Sequence, residues 1–126
     1  MPEGRKKVLI IEDDDHISKV YEIKLGKENI DIVIARDGEE GINMVASEKP
    51  DIVLLDLMIP IKDGFIVLEE VKKTPFGKNV PIVVISNLGQ QGDIEKAMKL
   101  GAADYLIKVN LSIQEVIDKV KKHLGK

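Results

Sequence analysis

Five short apolar runs, each followed by a stretch with helical spacing, constrain this 126-residue chain more than any other feature. The runs are Lys7–Ile11, Asp31–Ala35, Ile52–Leu55, Ile82–Ile85 and Ala103–Ile107. Four carry Ile, Val or Leu with almost no polar alternation, the pattern of strands buried on both faces. The second, Asp31-Ile32-Val33-Ile34-Ala35, has polar flanks and reads as a strand nearer an edge. Helical spacing follows at Ile17, Val20, Tyr21, Lys24 and Leu25, where Gly26 reads as the C-terminal cap. It recurs at Ile42, Val45, Ala46, then Ile66, Val67, Leu68, Val71, then Ile94, Ala97, Met98, and last Ile113, Val116, Ile117, Val120, Leu124. Pro50, Pro60, Pro75 and Pro81 all fall between these stretches, where a missing amide costs no helix hydrogen bond. Gly41 is the one local blemish, at ~1 kcal/mol against Ala in a helix interior.

Strict alternation of strand and helix predicts an α/β domain with a parallel sheet, and right-handed crossovers put helices on both of its faces. The expected architecture is a doubly wound (βα)5 three-layer sandwich, flavodoxin-like, with a five-stranded sheet of order 2-1-3-4-5. The whole of 1–126 reads as one domain. Only Gly125-Lys126 follows the fifth helix, so no output domain is expected. With two Phe, two Tyr and no Trp, the core must be aliphatic. A net charge of -3 argues against nucleic acid or an anionic membrane as partner. The absence of Cys removes disulfides, thiolate metal sites and thiol nucleophiles. Arg5, Lys6 and Lys7 before Val8–Ile11 briefly resemble a signal peptide, but Glu12–Asp15 ends the apolar run far too early. A cytoplasmic protein is expected.

Ligands in such folds bind outside the carboxyl ends of the strands, where the strand order reverses. There the first run ends in Glu12-Asp13 and the third in Asp56, while Ser86 follows the fourth and Lys108 the fifth. Clustered carboxylates repel one another unless a cation sits among them. Hard oxygen donors without His or Cys favour Mg²⁺ over zinc or copper. A metal, a carboxylate nucleophile, a cation and a hydroxyl are the parts that phosphoryl transfer needs.

These residues carry a family resemblance across essentially the whole chain. The segment from Pro50 through Asp56, Pro60 and Gly64 to Phe65 resembles the phosphoacceptor segment of response-regulator receiver domains, the CheY-like fold of two-component signalling. Val8–Asp14 is similar to their acidic metal-binding segment, and Pro81–Ser86 and Gly101–Lys108 to their later two motifs. The resemblance implies that Asp56 takes a phosphoryl group from a histidine kinase's phosphohistidine. It implies Mg²⁺ (or Mn²⁺) ligated by Asp13, Asp56 and the Met58 backbone carbonyl, with Glu12 acting through a bound water. Lys108 would pair with the phosphoryl oxygens, Ser86 would bond one of them, and Tyr105 would be the rotameric switch. The output face would be the fourth helix, fifth strand and fifth helix, roughly Gln90 to Leu124, acting on a downstream protein target. Beyond its own phosphorylation and slow dephosphorylation, no enzymatic activity is implied.

Three positions depart from the family pattern. Val109 stands where Pro commonly follows the Lys through a cis peptide; before a non-proline residue that bond costs ~2.5–4 kcal/mol, so trans geometry or a strained loop is expected. Asn87 replaces a small residue and would narrow access to a phosphoryl group or hydrogen-bond to it. Met58 and Leu88 occupy the positions that tune hydrolysis, and neither orients an attacking water, which implies a long-lived phosphoaspartate.

Simpler roles compete at several residues. Asp14 or Asp15 reads as the cap of the first helix, and Asp63 as a turn residue. Tyr105 alone reads equally as packing at the sheet edge. His16 and His123 are expected to be exposed. Lys119, Lys121 and Lys122 read as a solvated helix end that favours the macrodipole. The function expected is a stand-alone receiver, a monomer or weak homodimer. The alternatives are a relay intermediate that passes the group to a histidine phosphotransfer protein, and a degenerate interaction module. A haloacid-dehalogenase-type phosphatase would want an acid where Met58 stands. Flavin binding would want Ser, Thr and Gly after the first strand, and no P-loop motif exists.

Overall fold

The computed structural model describes residues 5–125, so residues 1–4 and 126 of the expected domain lie outside the described residues. In chain order its elements are β1 (Lys6–Ile11), α1 (Asp15–Gly26), β2 (Ile30–Ala35), α2 (Gly38–Glu48), β3 (Ile52–Leu55), α3 (Gly64–Lys72), β4 (Ile82–Ser86), α4 (Gln91–Lys99), β5 (Asp104–Ile107), a 3-10 turn (Lys108–Asn110) and α5 (Ile113–Leu124). The strands form one parallel sheet of order β2-β1-β3-β4-β5, as the alternation predicts.

Alternate side chains of the central strands feed two cores. Leu9, Ile11, Val53, Leu55 and Val84 pack with Val45, Val67, Leu68, Val71 and Ala97 of α2, α3 and α4. Val8, Ile10, Ile52, Leu54, Val83 and Ile85 pack with Leu25, Val116, Ile117 and Val120 of α1 and α5. Both faces of β1, β3 and β4 are therefore covered, which explains their unbroken apolar sequences. β2 lies at an edge, as its flanks suggest. So does β5, the other end of the predicted order: only Leu106 of Asp104–Ile107 is buried, and the expectation of two-sided burial fails there because, among the described residues, β5 pairs with β4 alone.

Helix starts follow local chemistry. Asp14 caps α1 by accepting the His16 and Ile17 amides, Asp37 caps α2, and Asp63 caps α3 by accepting the Ile66 amide, a more specific role than the turn expected of it. Ser112 and Glu115 form a reciprocal capping box on α5. Two glycine readings change. Gly26 is the last helical residue of α1, and the left-handed position falls instead at Asn29, with φ 63°. Gly41 is no blemish: a Cβ there would lie 2.6 Å from Ile11 Cδ1, so Gly lets α2 settle directly on β1. His123, expected to be exposed, is half-buried, with Nε2 3.6 Å from Asp104 Oδ2.

Gly64 opens α3 where the chain doubles back on itself. A Cβ would meet Leu57 Cα at 2.5 Å and the Asp56 carbonyl oxygen at 2.8 Å, both backbone atoms that cannot swing away. Gly92, within α4, has nothing within 4 Å of a built Cβ. Gly64→Ala is therefore expected to destabilise the domain by about 1–3 kcal/mol, and Gly92→Ala to stabilise it by about 0.5–1 kcal/mol. Urea unfolding of the two variants beside the parent checks both signs.

Candidate metal and phosphoryl-transfer site

Strand register assembles the site. Ile11 pairs with Leu55 and Leu55 with Val84, so Glu12 and Asp56 leave neighbouring strands side by side. The Glu12 amide donates to Ala35 O at 3.0 Å and the Asp56 amide to Ile11 O at 3.1 Å, carrying the ladder one residue further. Ser86 pairs with Ile107, so Lys108 follows directly at the end of β5.

One oxygen from each of Glu12, Asp13 and Asp56 lies within 4.8 Å of the others. Glu12 and Asp56 are only 3% and 8% exposed, while Asp13 is open to solvent. The Lys108 ammonium bridges the buried pair, 2.6 Å from Glu12 Oε1 and 2.8 Å from Asp56 Oδ2. Backbone amides take the other oxygens: Asp14 N–H donates to Glu12 Oε2 at 3.2 Å, and Met58 N–H to Asp56 Oδ1 at 3.0 Å.

Charge is unbalanced here, with three carboxylates facing one ammonium. Burial pushes the Glu12 carboxyl above its ordinary 4.5; the hydrogen bond from Lys108 opposes this, and the charge of Asp56 adds to it. Burial also works against the Lys108 charge, but Asp56 and Glu12 outweigh it and raise the ammonium above its ordinary 10.5. For Glu12 the raised value means that the native state holds its proton longer than the unfolded chain does. Its contribution to stability is full below 4.5 and is lost as pH rises through the raised value. A divalent cation relieves the same repulsion, and an all-oxygen donor set without His or Cys fits a hard ion.

Ser86 is fully buried and its Oγ accepts the Leu88 amide at 3.2 Å. The Tyr105 hydroxyl donates to the Leu88 carbonyl, so one residue of the β4–α4 loop ties Ser86 to Tyr105. Burial also lifts the Tyr105 phenol above its ordinary 10.0. Tyr105 is half-buried against the α2–α4 core, so it both packs and hydrogen-bonds. The Leu88 link was invisible in the sequence, because backbone atoms carry it. Tyr21 lines a groove together with Lys108, and burial raises its phenol above the ordinary 10.0, with the Lys108 charge opposing the rise and those of Glu12 and Asp56 adding to it. Its helical spacing on α1 read only as core.

Val109 is joined through a trans peptide, since the described residues contain no cis bond. A 3-10 turn, with Leu111 N–H donating to Lys108 O at 3.2 Å, carries the chain past it, and Val109 itself is 75% exposed. Lys108 still reaches both carboxylates. Asn87 is exposed, Leu88 is half-buried against the α2–α4 core, and the Met58 side chain is 59% exposed. No helix among the described residues is long and apolar enough to cross a membrane.

A parallel sheet of this order, with buried carboxylates and a lysine at its carboxyl edge, defines a class of signalling domain. The chain belongs to the response regulator receiver domain family, whose model matches residues 8–121. It is 40% identical over 106 residues to the probable transcriptional regulator ycf27 of Guillardia theta, covering 84% of this chain and 41% of that protein. The chain thus spans less than half the length of this curated relative. The receiver domain of the Francisella response regulator 1452 superposes with a TM-score of 0.88 at 30% identity, over 96% of this chain and 98% of that one. The Mn²⁺-bound form of response regulator Rcp1 superposes with a TM-score of 0.79 at 26% identity, over 93% and 92%.

The strained charge balance yields a prediction. Glu12→Gln removes one buried negative charge while keeping an acceptor for Lys108. The metal-free variant is expected to be more stable than the parent at neutral pH, and to bind Mg²⁺ roughly tenfold more weakly. Urea unfolding with and without Mg²⁺ reads both effects; a destabilised metal-free variant would contradict the assignment.

Proposed function

We propose that this receiver is a phosphorylation switch in which Asp56 accepts a phosphoryl group from the phosphohistidine of a sensor histidine kinase or a histidine phosphotransfer protein. An Asp56 carboxylate oxygen forms the new P–O bond, the P–N bond to the donor imidazole breaks, and the imidazole leaves with its electron pair and takes up a proton. Asp13, Asp56 and the Met58 carbonyl would hold Mg²⁺ or Mn²⁺, with Glu12 behind a bound water. The ion's chemistry there is to neutralise the charge that gathers on the phosphoryl oxygens. The observation that carries this reading is the Lys108 ammonium held between Glu12 and Asp56, beside a third carboxylate.

The same geometry supports a route outward. The Ser86 Oγ accepts the Leu88 amide, which leaves its O–H free to donate to a phosphoryl oxygen on Asp56. Leu88 in turn accepts from Tyr105. A phosphoryl group on Asp56 therefore loads the β4–α4 loop and Tyr105 together, and biases the α4–β5–α5 face toward its target-binding population. Met58 and Leu88 offer no group to orient an attacking water, which favours a long-lived phosphoaspartate.

Intact-mass spectrometry after incubation with a small-molecule phosphodonor and Mg²⁺ tests the chemistry. One phosphoryl adduct is expected, absent in Asp56→Asn and without metal, and decaying faster in Met58→Asn. A folded, metal-replete protein that takes no adduct would instead be a binding module that never turns over.

A further inference from the structure

Ile61 carries two local costs. Its φ is 72°, a left-handed conformation that β-branched side chains avoid, and it is 74% exposed. The turn around it is held from both sides, since the Pro60 carbonyl accepts the Lys62 amide at 2.9 Å and the Gly38 amide at 3.2 Å. Asn or Gly would satisfy that turn without strain and without an exposed apolar surface. An exposed isoleucine on a turn held this firmly offers an apolar anchor to a partner.

What lies beside Ile61 narrows the partner. A groove of about 380 Å³ runs between this turn and the start of α2, lined by Asp37, Glu39, Glu40, Asn43, Met44 and Ile61. Its walls thus combine two apolar side chains with three carboxylates and no cation. Lys62, the nearest cation on the turn, is shared between Glu39 at 3.6 Å and Glu70 at 3.3 Å. Asp37 and Glu40 accept backbone amides, from Glu40 and Arg36, which leaves their charge in place.

We propose that the groove between α2 and the Pro60–Lys62 turn docks a cationic amphipathic segment of a partner protein, with an apolar side chain against Ile61 and Met44 and Lys or Arg residues facing Asp37, Glu39 and Glu40. Charge complementarity selects this occupant over an acidic or nucleic-acid partner. The surface belongs to α2 and the β3–α3 loop, apart from the α4–β5–α5 face, and does not depend on the chemistry proposed for Asp56.

Amide NMR of the full chain, titrated with a helical Leu–Lys peptide and separately with a Leu–Glu peptide of equal length, tests it. Saturable shifts are expected around residues 37–44 and 59–62 with the Leu–Lys peptide alone. Ile61→Asn should weaken binding about tenfold while melting no lower than the parent, and Glu40→Gln should weaken it severalfold. Asp56→Asn should bind as the parent does, which separates this surface from the phosphoryl chemistry. Shifts spread elsewhere, unchanged binding by Ile61→Asn, or a lower melting temperature for that variant would overturn the proposal. So would self-association through these residues, which would make a second copy the occupant.

Discussion

A single ammonium, that of Lys108, stands between two buried carboxylates that parallel strands deliver side by side. Glu12 and Asp56 emerge together because β1 and β3 pair in register at Ile11 and Leu55, and the aliphatic sheet below gives neither side chain anywhere else to go. Lys108 arrives because β4 and β5 pair at Ser86 and Ile107. Those two registers, joined by the pairing of β3 with β4 at Leu55 and Val84, fix one charge cluster. That cluster is under-neutralised, with Glu12 pushed toward protonation and Asp13 adding a third carboxylate at the mouth. A divalent cation would relieve that repulsion.

Much of the scaffold was legible because burial writes itself into sequence. The runs at Val8–Ile11, Ile52–Leu55 and Ile82–Ile85 are apolar on both faces because helices cover both faces. The run at Ala103–Ile107 reads much the same but lies at an edge, since apolar content alone does not report how many strands flank it. The cap at Asp14 was readable, because a short acidic side chain before a helical stretch has few other uses. Left-handed residues were not. Lys49 and Ile61 adopt positive φ, Lys49 as the left-handed cap that ends α2 with its amide on Val45 O, and Ile61 inside the turn that the Lys62 amide closes on Pro60 O.

The site divides along the same line. Side chains at strand ends could be found by counting along the runs, and the distances from Lys108 to Glu12 and Asp56 bring those residues together. The link from Ser86 through Leu88 to Tyr105 could not, because it runs through a main-chain amide and carbonyl. The Val109 departure raised a question about the Lys108 loop that only geometry answers: a trans peptide followed by a 3-10 turn keeps the ammonium on both carboxylates. Backbone conformation, which the sequence states weakly, here decides where a charge goes.

Asp56, a divalent cation, Ser86 and Lys108 are proposed to form one phosphoryl-binding unit coupled to Tyr105. Amide NMR with Mg²⁺ and beryllium fluoride, a tetrahedral mimic of a carboxylate-bound phosphoryl group, tests it most directly. Saturable shifts are expected at residues 12–14 and 56–58 with Mg²⁺ alone, extending to 86–88 and 105–108 only when both reagents are present, with that extension lost in Asp56→Asn. An extension that survives Asp56→Asn, or shifts that stop at the carboxylates without reaching Leu88 and Tyr105 when both reagents are present, would overturn it.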